Sequence, residues 1–185
     1  MNLDAGRSVL VVIDMQDRLV RAVADADACV DRTTTLLRTA DVLDVPVVVV
    51  EMNPEKLGPT DARIRQAIGD LAARPKMTFS AMREPAVAEH LAALDRPQAV
   101  VVGMETQVCV LQTAMDLLAR KSDVFVVADA VGSRRPDARA LGLQRMQGAG
   151  VEIVTTEMVM FEWLERAGTD AFRQLQPLLK EVGAP

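Results

Sequence analysis

Short apolar runs dominated by β-branched residues recur along the chain at residues 8–13 (SVLVVI), 45–50 (VPVVVV), 99–102 (AVVV), 124–127 (VFVV) and 151–154 (VEIV). Runs of this length with no polar alternation read as strands buried on both faces, the signature of a parallel sheet. Between and after them, apolar residues fall three or four apart over roughly 28–44, 61–73, 85–94, 108–120, 136–148, 157–167 and 170–181, which predicts helices. A sixth, shorter strand is expected at 76–79, after a helix that ends near Arg74 and Pro75. Pro46 and Pro97 lead into strands, and Gly148 and Gly150 can end a helix.

Strands alternating with helices predict an open α/β sheet with helices on both faces, a three-layer αβα arrangement. The 185 residues suit one domain spanning 1–185. Half the residues are apolar and a quarter charged, ordinary for a globular chain.

The net charge of −5 offers no basic footprint for nucleic acid or an anionic membrane, so a small-molecule substrate is expected. No apolar run approaches the length of about 20 residues that a membrane span requires. Two cysteines, Cys29 and Cys109, make no disulfide scaffold and no CxxC motif, which together with the lack of a signal-like amino terminus reads as a cytoplasmic protein. The sequence contains no GxxxxGK[ST], no strand-linked GxGxxG and no HExxH, and no cofactor or metal is expected.

Open α/β sheets bind ligands beyond the carboxyl ends of their strands, so polar residues that end strands come first. Asp14 ends the first strand, Lys76 adjoins the short third, and Cys109 follows the fourth. Cys109 should lie in the first turn of a helix starting near Val108, where free N–H groups favour thiolate, and Lys76 should lower its pKa further. Each has a plainer reading: a core thiol, a turn-forming aspartate, a solvated lysine. The one histidine, His90, sits mid-helix and reads as a surface residue, so the base for a cysteine nucleophile falls to a carboxylate, Asp14. The loop 51–60 (EMNPEKLGPT) leaves the second strand on the same side and is expected to border the crevice.

The segments VVIDMQD (11–17), KMTFSA (76–81) and GMETQVCVLQTAMDLL (103–118) together resemble the isochorismatase-like cysteine hydrolase superfamily. LGPT (57–60), TTEMVMFEWLERAG (155–168) and FRQLQPLLKE (172–181) resemble its isochorismatase-domain-containing branch. The resemblance implies a six-stranded parallel sheet ordered 3-2-1-4-5-6 and a triad of Asp14, Lys76 and Cys109. It also implies a cis peptide joining Met104 to Glu105, with the N–H groups of Glu105 and Cys109 aimed at an oxyanion, and self-association into a homo-oligomer. Gln16, Asn53, Phe79, Ser80 and Met104 are expected to shape the substrate pocket.

Two departures narrow the activity. The Asp-x-His-His metal cluster of nicotinamidases is replaced after the second strand by a stretch without histidine, and Cys109 stands where isochorismatases proper lack a nucleophile. The expected reaction is cleavage of an amide or related acyl bond through a thioester. The alternatives are a non-catalytic metabolite- or partner-binding protein on the same fold, and thiol redox chemistry at Cys109.

Overall fold

A computed structural model describes residues 1–183. The elements run β1 (Ser8–Ile13), α1 (Asp17–Val20), α2 (Ala26–Val42), β2 (Val47–Met52), α3 (Pro54–Leu57), α4 (Ala62–Ile68), β3 (Arg74–Lys76), α5 (Pro85–Ala93), β4 (Gln98–Met104), α6 (Leu111–Ala119), β5 (Asp123–Gly132), α7 (Pro136–Gly148), β6 (Glu152–Val154), α8 (Thr156–Leu164) and α9 (Asp170–Val182). All six strands form one parallel sheet in the order 3-2-1-4-5-6.

Strands β1 and β4 are buried along their whole length, as their uninterrupted apolar runs require. Alternate residues feed two cores. Leu10, Val12, Val49, Val100 and Phe125 pack with α2, α8 and α9, whereas Val9, Val11, Val48, Val101 and Val126 pack with α5, α6 and Met146 of α7. Trp163 and Leu164 join the first of these cores, and Trp163 Nε1 donates to Ser8 Oγ at 2.9 Å.

Two elements differ from the sequence reading in ways that matter for the site. The edge strand lies at Arg74–Lys76, upstream of the expected 76–79. Pro75 is tolerated there because an edge strand has no neighbour on one side to receive the missing N–H. Beyond it the Lys76 ammonium draws in the carbonyls of Thr78 and Phe79, both at 3.3 Å, and curls the chain out of extended pairing.

The helix expected over 108–120 is Leu111–Ala119, preceded by a π-helical turn at Thr106–Val110. There Val110 N–H reaches back five residues to Glu105 O at 3.3 Å. The turn widens the backbone where Cys109 sits. The predicted helix over 61–73 also stops early, at Ile68, where Gly69 takes φ +57°.

Gly103, next to last in β4, has φ +123°. A Cβ at this position would lie 2.0 Å from Ile13 O, so only glycine lets β4 approach the end of β1 this closely.

Candidate active site

β1 ends at Ile13, and the chain reverses through Asp14, whose φ of +50° is a left-handed conformation that aspartate tolerates better than most residues. Asp14 N–H donates to Val50 O at 3.1 Å, and Gln16 N–H donates to Asp14 O at 2.8 Å. The reversal turns the Asp14 carboxylate inward, with no exposed surface.

Lys76, at the end of β3, extends beneath it. Its Nζ donates to Asp14 Oδ2 at 2.8 Å, and neither side chain is exposed. Thr78 O and Phe79 O accept from the same ammonium, both at 3.3 Å. Lys76 thus sits against Asp14 and is also close enough to act on Cys109.

Asp14 Oδ1 is the one buried side-chain polar atom without a hydrogen-bond partner among the described residues. The third member, Cys109, is buried in the π-turn close enough to interact with both Asp14 and Lys76. Three residues from three strand ends thus converge on one point, separated by 62 positions in the case of Asp14 and Lys76.

The electrostatics reverse one expectation. Burial, and next the Asp14 carboxylate, push the Cys109 thiol up to about 12 against the opposing pull of Lys76. The first-turn helix effect assumed from sequence does not prevail, because the thiol is removed from water and faces a carboxylate. Burial likewise raises Asp14 above the ordinary carboxylate range, although Lys76 acts to lower it. Both shifts run the same way: burial favours the proton on sulfur and heightens the proton affinity of Asp14.

The other expected site residues divide. Gln16 is fully buried and spends its amide on the loop: Nε2 donates to Met52 O at 3.1 Å and to Gly58 O at 2.7 Å, while Oε1 accepts from Met52 N–H at 2.8 Å. It latches the 51–60 segment in place. Asn53 takes φ +38° at the start of α3, and its N–H donates to Lys76 O at 3.0 Å. Ser80 is buried and its Oγ accepts from Met82 N–H at 3.2 Å, capping the turn at Ala81–Arg83.

Phe79 contributes a carbonyl to Lys76 but holds its ring outward, 56% exposed, beside Met77 at 69%. The Met104 side chain is buried in the core with α2, on the face of the sheet opposite Cys109, so it does not face the thiol. The Met104–Glu105 peptide is cis. His90 is half-buried on α5 and takes no part in the Asp14, Lys76 and Cys109 cluster.

Sequence reasoning missed the residues that brace the cluster. Thr113 Oγ1 on α6 accepts from Ala81 N–H at 3.0 Å, tying the Lys76 segment to the helix behind Cys109. Glu105 is held by Arg134, 29 positions away, with Nε and Oε1 at 2.9 Å. No local pattern in the chain announces either contact. Among the described residues, no three His, Cys, Asp or Glu side chains converge as a metal site, and no helix is long and apolar enough to cross a membrane.

The isochorismatase domain family matches residues 8–158. The chain belongs to the isochorismatase family. Isochorismatase domain-containing protein 2 of Xenopus laevis is 35% identical over 175 residues, spanning 94% of this chain and 84% of that protein. A relative in Phytophthora sojae named as a secreted isochorismatase effector, Isc1, is 35% identical over 179 residues, spanning 94% and 85%.

Among solved isochorismatase-like structures, the MAR1 ribonuclease from Caenorhabditis elegans matches with a TM-score of 0.92 at 28% identity, covering 100% of this chain and 95% of that one. The YcaC gene product of Escherichia coli, described as an octameric hydrolase of unknown specificity, matches with a TM-score of 0.92 at 22% identity, covering 100% and 92%. That second likeness is one of fold. Isochorismatase-family membership places the chain among hydrolases in general terms.

Proposed function

We propose that this chain is a cysteine hydrolase that cleaves an amide or related acyl bond of a small molecule through a thioester on Cys109. The observation that carries this reading is the buried Asp14–Lys76 pair at 2.8 Å, with Asp14 Oδ1 unpartnered and the thiol within its influence. A carboxylate held this way is a general base waiting for a proton.

The thiol proton passes to Asp14 as sulfur attacks the acyl carbon. The N–H groups of Glu105 and Cys109 receive the oxyanion, Asp14 returns the proton to the departing amine, and the thioester remains. Water then attacks the thioester carbon, with Asp14 accepting its proton and delivering it to the Cys109 sulfur as the acid departs. Because the thiol is pushed up, proton transfer accompanies attack rather than preceding it. Lys76 opposes the effect of burial on Asp14, favouring its ionised form between steps. No metal or cofactor enters this scheme.

The relative named as a ribonuclease raises RNA as a substrate. A small molecule is favoured here because the net charge of −5 works against a phosphate backbone. The chain is also proposed to self-associate, as the octameric YcaC product does. A cytoplasmic location stays a proposal beside a relative named as secreted.

The test is hydrolysis of a panel of small amides and esters, and of an unstructured RNA, by wild type and Cys109→Ala. Loss of amide or ester turnover in a variant with an unchanged circular dichroism spectrum supports the scheme. Full activity without Cys109 sinks it. Thermal stabilisation by metabolites without any product favours a non-catalytic binding protein.

A further inference from the structure

The segment bearing Cys109 is gripped from one side by the end of β5, the loop that follows it and the middle of α7. Thr106 Oγ1 donates to Gly132 O at 3.1 Å. Ser133 Oγ donates to Gln107 Oε1 at 2.7 Å, and Gln107 Nε2 donates to Glu105 Oε1 at 3.4 Å. The same Glu105 oxygen accepts from Arg134 Nε at 2.9 Å and Arg134 N–H at 3.3 Å. Gly142 of α7 presses on the turn so closely that a Cβ there would meet Gln107 N and Cα at 3.2 Å.

One carboxylate oxygen therefore gathers three donors, and its residue stands directly before the π-turn, four positions from the nucleophile. The two ends of the ion pair differ in setting. The Glu105 side chain is 10% exposed and the Arg134 side chain 63%. A flexible surface pair would fix little, because both ends could swing. Here the acceptor is packed in the protein and one donor is a backbone N–H, so the carboxylate is restrained from three sides. The Glu105 side chain carries that restraint to the 105 backbone, whose carbonyl also starts the turn by accepting from Val108 and Val110 N–H at 3.0 and 3.3 Å.

We infer that Arg134 is a positioning residue that, through Glu105, sets the direction of the residue 105 N–H at the oxyanion. This rests on the covalent reading proposed above. Donors at an oxyanion act only when placed to about hydrogen-bond distance of where the charge develops, so loosening their anchor lowers the rate of acyl transfer without touching the nucleophile.

That separation gives the test. Acylation of a thiol passes through a tetrahedral oxyanion; alkylation by iodoacetamide displaces iodide at a saturated carbon and forms none. The full chain is treated with p-nitrophenyl acetate or with iodoacetamide, and modification of Cys109 is followed by peptide mapping in wild type, Arg134→Ala, Arg134→Lys and Glu105→Gln. The expected result is acylation slowed by about tenfold or more in Arg134→Ala and Glu105→Gln, with alkylation unchanged and partial recovery in Arg134→Lys.

Equal acylation in wild type and Arg134→Ala overturns the inference and leaves the covalent reading standing. Acylation and alkylation falling together assign Arg134 a merely structural role and also overturn it. A wild-type Cys109 that is alkylated but never acylated removes the covalent reading, and the inference with it.

Discussion

Lys76 Nζ lies 2.8 Å from Asp14 Oδ2, and neither side chain has any exposed surface. A buried pair of this kind gives little net stability relative to apolar residues, but breaking it strands a charge. Lys76→Met is expected to lower unfolding free energy by about 3–5 kcal/mol, measured by urea denaturation. The double variant Asp14→Asn, Lys76→Met should recover much of that loss, because no lone charge remains.

The pKa directions give a signed prediction. Asp14 must be ionised to accept the thiol proton, and its raised pKa means that acylation of Cys109 fails on acidification at a higher pH than the ordinary carboxylate value of 3.8 would give. Alkylation follows the thiolate instead and should rise toward about 12 in wild type. Asp14→Asn removes the repelling charge, so its alkylation profile should move to lower pH while acylation is lost. Peptide mapping is needed because burial also pushes Cys29 up to about 12.

Gly103→Ala should prevent native folding or destabilise severely, since its Cβ would overlap Ile13 O at 2.0 Å and φ is +123°. Gly148→Ala supplies the contrast. Nothing lies within 4 Å of a Cβ there, at the last residue of α7, so a gain of about 0.5–1 kcal/mol is expected. Chemical denaturation of the two variants side by side decides it.

Gln16→Ala removes three hydrogen bonds and leaves the Met52 and Gly58 carbonyls without their donor. A cost of about 1–3 kcal/mol follows from unsatisfied buried groups. Faster amide hydrogen exchange confined to residues 53–60 would show that Gln16 is a loop latch; unchanged exchange there would refute it.

The layered α/β architecture was legible because buried parallel strands and amphipathic helices write different periods into the chain. The strands at 8–13 and 151–154 and the helix at 136–148 were read to within a residue. The strand at 76–79 was misplaced because its position depends on Lys76 gathering carbonyls from Thr78 and Phe79, a contact made only with the side chain folded back. The expectation that Met104 shapes the substrate pocket meets the alternation along β4, which sends its side chain to the core opposite Cys109.

By itself the sequence determined the alternation of strands and helices and the candidates Asp14, Lys76 and Cys109 at strand ends, since these follow from local pattern and from where such sheets expose their carboxyl edge. Only the tertiary structure decided the direction in which the Cys109 thiol is pushed and the hydrogen-bond partners of Gln16, Ser80, Glu105 and Arg134. The physical reason is that desolvation and long-range hydrogen bonds depend on what surrounds a group in space. Burial and the Asp14 charge overrule the helix-end effect at Cys109, and a residue 29 positions away holds Glu105, neither of which any local window can contain.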